Sequence, residues 1–113
     1  MHYDNIEIKE LMNFIDLEDK RLREKFSHLY TTQKERIFAR AIKLNEEVGE
    51  LCNELLAFVG DQRNDKINNN QNISEKINEE LSDVIIVALL LSKTIGVDIL
   101  EGLKKKIEEI NLR

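Results

Sequence analysis

An all-α, four-helix bundle-like fold is predicted from three features of the 113-residue chain. Proline is absent, there are only four glycines, and apolar residues recur at helical spacing behind four helix-start signatures. A sheet with many tight turns needs the punctuation that this chain lacks. Hydrophobic residues are 42% and charged residues 35% of the chain, which supplies enough apolar side chain for a core and argues against disorder. The length suits one domain, residues 1–113, around a single core.

Each start signature is a capping side chain followed three residues later by Glu, a pair that satisfies N–H groups orphaned in a first helical turn. They are Asp4 with Glu7, Thr32 with Glu35, Asn72 with Glu75, and Asp98 with Glu101. The apolar pattern behind each predicts helices over about 5–28, 33–59, 73–95 and 99–112. Gly60 and Gly96 stand where the second and third should stop, because glycine tolerates the positive φ common just past a helix end. The polar stretch DQRNDKINNNQN between those helices has almost nothing to bury and is expected to be a mobile loop. With no internal repeat, the four helices are expected to share one core.

Composition also excludes function classes. With 22 acidic and 17 basic side chains the formal charge is −5, the wrong sign for a protein that grips duplex nucleic acid through its phosphates. The single Cys52 excludes a disulfide framework and a cysteine-based zinc site. The opening MHYDNIEIKE has neither a basic nor an apolar leader region, and no run approaches the roughly 18 apolar residues of a membrane span, so a cytoplasmic protein without membrane attachment is expected. The run VIIVALLL, residues 84–91, is apolar on every side of its helix. Part of that surface is expected to meet a second subunit, as a homodimer or as a dimer of dimers, a homotetramer; the alternative is a central helix wrapped by the other three.

The second helix carries an expected core stripe from Ile37 through Ala41, Leu44, Val48, Leu51 and Leu55 to Phe58. Glu47, Glu50 and Glu54 line another side with Lys43, and Glu47 and Glu50 lie one turn apart. On the third helix Glu80 and Asp83 repeat the one-turn spacing, with Glu80 projected among Ile73, Ile77, Val84, Val87 and Leu91. A carboxylate on a core-facing stripe costs several kcal/mol unless it is paired or holds a cation. Two such pairs on neighbouring antiparallel helices therefore make a hard-cation site, whose all-oxygen ligation suits Mg²⁺ or Mn²⁺. The only histidines, His2 and His28, lie outside these segments, which disfavours a redox iron bundle. Gly49, inside the acidic segment, costs about 1 kcal/mol of helix stability relative to Ala and leaves room for a ligand or a crossing backbone.

KLNEEVGEL, residues 43–51, followed by EELSDVII, residues 79–86, resembles the EExxE and ExxD signature of the MazG-like, all-α nucleoside triphosphate pyrophosphohydrolases. The tail KIEEINLR, residues 106–113, is similar to the family's closing Lys and Arg, although Ile110 stands where Asn is frequent. The resemblance covers about residues 37–113. It implies Mg²⁺-dependent hydrolysis of an NTP or dNTP to the monophosphate and pyrophosphate. Carried over by position, Glu47, Glu50, Glu80 and Asp83 would hold the metal, and Glu46 would be a water-orienting candidate beside them. Lys106 and Arg113 would meet the phosphates, with Lys43 a further candidate. The 29 residues from Leu51 to Glu79 are long for the family and leave the substrate open. Phe14, Phe26 and Tyr30 are candidates to face a nucleobase. The alternative reading is a non-catalytic helical module that dimerises through residues 84–91, shows no metal-dependent stabilisation and tolerates Glu80→Ala.

Overall fold

The structure is a computed structural model that describes residues 5–60 and 70–113. Among these residues there are four helices: α1, Ile8–Lys25; α2, Gln33–Phe58; α3, Asn70–Ile95; and α4, Ile99–Asn111. Asp4 and most of the expected loop lie outside the described residues. The end of that polar stretch is helical, since α3 already begins at Asn70. Asn72 therefore sits within the first turn rather than capping it, which corrects the expected start at 73.

The signals at Thr32, Asp98, Gly60 and Gly96 act as their chemistry requires, whereas Glu7 is itself the N-cap of α1 with no side-chain cap bond, so the first helix starts at Ile8 and not at 5. The Glu35 amide donates to Thr32 Oγ1 at 3.1 Å, while Glu35 Oε1 accepts from the Thr32 amide at 3.1 Å. This is the reciprocal capping box, and Glu35 also accepts from the Thr31 and Thr32 hydroxyls. Those hydrogen bonds, with the Thr32 hydroxyl foremost, hold the Glu35 carboxyl below its ordinary pKa. At α4 the Asp98 side chain accepts from the Glu101 amide at 3.1 Å. Gly60 and Gly96 have φ of 85° and 89°, and Ser92 O accepts from the amides of Gly96 and Val97 to close α3. The first helix ends at Lys25 rather than 28, and past its C-cap Phe26 the amides of Leu29 and Tyr30 donate to Phe26 O in a separate turn.

The chain divides into two compact units, residues up to Ile37 with Leu89–Arg113, and Phe38–Ala88, so α2 and α3 each contribute to both. In the first unit Ile15 is fully buried, and Leu89, Leu90 and Ser92 are buried with it. Two side-chain contacts reach the end of α3: Gln33 Nε2 donates to Thr94 O at 2.9 Å, and Lys93 pairs with Asp16 at 3.0 Å. On α4 every residue from Leu100 onward is exposed, including Leu103, Ile107 and Ile110.

The second unit is formed by α2 from Phe38 and by α3 up to Ala88. Its buried line on α2 differs from the expected stripe. It runs through Arg40, Leu44, Glu47, Leu51 and Glu54, of which Arg40 and Glu47 are buried and the others partly so, while Val48, Leu55 and Phe58 are exposed. Both lines have helical period, and both contain Leu44 and Leu51. The difference is a rotation about the helix axis that turns Glu47 inward and Val48 outward.

Candidate functional site

Glu46, Glu47 and Glu50 follow one another within a turn of α2, and Glu80 and Asp83 are one turn apart on α3. Glu50 acts electrostatically on Glu80, and Glu47 acts on Asp83. The order is reversed between the helices, so α2 and α3 run antiparallel here and bring both acidic pairs to one level. The same register carried two turns further sets Ala57 opposite Ile73, both buried.

The carboxylates form two overlapping groups. One oxygen from each of Glu47, Glu80 and Asp83 lies within 4.8 Å of the others, and the same holds for Glu46, Glu47 and Glu50. Glu47 belongs to both and is the most buried of the five. Lys43 Nζ stands 3.1 Å from Glu47 Oε1 and 3.3 Å from Glu46 Oε1. Glu47 Oε2 and Glu80 Oε2 are buried and accept no hydrogen bond from the described residues.

Burial first, and then charge repulsion, favours the protonated form of two of these carboxyls. Burial pushes the Glu80 carboxyl above its ordinary pKa, and the charges of Glu50, Asp83 and Glu47 push it further. Asp83 is raised by burial, then by Glu47 and Glu79, against a smaller lowering by Lys43. Lys43 is raised through its hydrogen bonds to Glu47 and Glu46. A buried carboxylate oxygen without a donor is an unpaid desolvation penalty, and a hard divalent cation is the partner that an all-oxygen set of this kind accepts. Glu47, Glu80 and Asp83 fit a hard divalent cation on that ground, and Glu50 belongs with Glu46 and Glu47 to the second, more exposed group.

The structure thus brings together Lys43, Glu46, Glu47, Glu50, Glu80 and Asp83. Lys106 and Arg113 belong to the other compact unit, where Lys106 pairs with Glu109 at 3.1 Å and Arg113 is exposed. Phe14, Phe26 and Tyr30 also fall there, with the Phe26 and Tyr30 rings 6.0 Å apart. Gly49 has no atom within 4 Å of where a Cβ would stand, so its missing side chain does not serve a helix crossing among the described residues. The sequence reading missed Glu79, whose charge presses on Asp83 one turn away. The four-residue spacing of two like charges was the signal for it.

Comparison with known proteins gives one match. The sequence model of the MazG-like family covers residues 40–112, which contain both acidic motifs and Lys106 but stop one residue short of Arg113. No curated protein and no solved structure matches the chain.

Proposed function

The chain belongs to the MazG-like family, and from that premise we propose that it is a nucleoside triphosphate pyrophosphohydrolase. It would convert an NTP or dNTP to the monophosphate and pyrophosphate with Mg²⁺, or with Mn²⁺ in its place. Family membership supports the coarser statement, a nucleotide pyrophosphatase-type hydrolase. The observation that carries the finer one is Glu47, buried and common to two carboxylate groups, with its Oε2 left without a donor beside the equally orphaned Glu80 Oε2.

Glu47, Glu50, Glu80 and Asp83 would hold the cation. When bound, Mg²⁺ neutralises charge on phosphate oxygens and makes water a competent nucleophile near neutral pH. Glu46, exposed at the edge of the site, would orient a water. The carboxylates alone repel a triphosphate, so the phosphates need ammonium and guanidinium groups as well. Lys43 is proposed for that part, after it leaves its carboxylate partners.

The test is product analysis with a panel of ribo- and deoxynucleoside triphosphates, in Mg²⁺ and in chelator. Monophosphate and pyrophosphate formed only with Mg²⁺ is the expected result. Monophosphate with no pyrophosphate, or turnover unaffected by chelator, would refute it. No turnover together with no metal-dependent stabilisation would favour the dimerising module instead.

We also propose a homodimer, or a homotetramer built from it. On α3, Leu81 is 44% and Ile85 is 53% exposed, an apolar surface that a second copy would cover. Ile85→Glu is expected to lower the mass measured by light scattering to that of the monomer. An unchanged mass would refute that interface. Among the described residues no helix is long and apolar enough to cross a membrane.

A further inference from the structure

Lys43 is engaged in a way that neither its motif position nor helix energetics explains. It precedes Glu47 by four residues, and Lys before Glu is the weaker orientation of an i,i+4 pair. Yet its ammonium reaches two carboxylates at once, at 3.1 Å and 3.3 Å, and one of them is the buried Glu47. The contact occupies Glu47 Oε1 and leaves Oε2 as the orphaned oxygen. The positive charge also eases Asp83 on the neighbouring helix. Lys43 itself is half-exposed on a flexible stem, so it can withdraw into water without disturbing the core.

We propose that Lys43 is a built-in counter-cation of the acidic site, holding Glu46 and Glu47 while no divalent cation is bound and competing with that cation for Glu47. This rests on the reading of the site as a divalent-cation site. Lys43 then sets a ceiling on cation affinity and supports the fold in the cation's absence. One ammonium on a single oxygen of Glu47 is a weaker partner than a divalent ion shared by several carboxylates, so the exchange runs in the cation's favour. Once released, the side chain becomes available to the phosphates.

The experiment is calorimetric titration with Mn²⁺ alone, without nucleotide, on the full chain and on Lys43→Gln and Lys43→Arg, together with thermal unfolding in chelator. Lys43→Gln is expected to bind Mn²⁺ about two- to fivefold tighter, the range of one partly exposed ion pair, and to unfold at a lower temperature in chelator. Lys43→Arg keeps the charge and should stay near wild type. Lys105→Gln, which removes the same charge from the Glu101 pair on α4, should leave Mn²⁺ affinity unchanged and controls for net charge. Unchanged or weaker binding by Lys43→Gln overturns the proposal, as does an Arg variant that binds as tightly as the Gln one. If the wild-type chain itself takes up no Mn²⁺ and gains no thermal stability from it, the reading of the site fails, and the proposal with it.

Discussion

Helix α4 and the acidic stretch of α2 are written in the same alphabet, Lys and Glu at helical spacing around a few aliphatic residues, and they come to different ends. Lys105 pairs with Glu101 at 3.4 Å, and Lys43 pairs with Glu47 at 3.1 Å, both four residues apart. The Glu101 side chain is 60% exposed and the Glu47 side chain 8%. An exposed pair of this kind contributes well under 1 kcal/mol, because water solvates either partner nearly as well as they solvate each other. The buried carboxylate has no such refuge. Spacing alone does not make a site; the neighbouring helix does, by taking water away from one side chain and setting further carboxylates against it.

The largest expected contrast is in turnover. Glu50→Gln and Asp83→Asn should each lower activity by more than about a hundredfold, beyond what is typical for loss of a group that merely supports a metal ligand. Both should fold, and both should be more stable than wild type in chelator, since each removes a repelling charge. Glu101→Gln on α4, under the same assay, should leave turnover unchanged. Wild-type activity in both site variants would remove the distinction between the two regions.

A smaller contrast lies in pH. Glu80 and Asp83 are raised in the folded chain, so between their ordinary and their raised pKa values the folded state holds more protons than the unfolded one. Stability from these groups therefore falls as pH rises through that window. Glu35, lowered by its capping bonds, has the opposite sign: its contribution is present above the ordinary pKa and is lost as pH falls through the lowered one. Glu80→Gln should flatten the falling limb in chelator, read by thermal unfolding across the range from weakly acid to neutral pH. A wild-type profile in that variant would mean that Glu80 carries no such strain. Excess Mn²⁺ should also flatten the limb in the wild-type chain, because the cation favours the charged carboxylates.

Much of this was legible before any coordinates. Thr32 with Glu35 and Asp98 with Glu101 announce two helix starts, and Gly60 and Gly96 announce two stops, because caps are made by residues within a few positions of one another. The one-turn spacing of Glu47 with Glu50 and of Glu80 with Asp83 is likewise a local property. Asn72 with Glu75 misleads for the same reason: the residues have the cap's chemistry, but α3 has already begun at Asn70.

The chain's own order of residues thus determined four helices, the N-caps of two of them, an acidic motif on each of two and the MazG-like family match. Only tertiary structure decided which side of α2 is buried. Periodicity offers two overlapping stripes that contain the same Leu44 and Leu51, and the partner helix selects the one through Arg40 and Glu47. From that rotation follow the exposure of Val48, the burial of Glu47, the orphaned oxygens and the double engagement of Lys43. The physical reason is range. Capping and helical pairing act over one turn of a single chain segment, whereas desolvation and the repulsion of Glu47 from Asp83 exist only after two distant segments have been brought side by side.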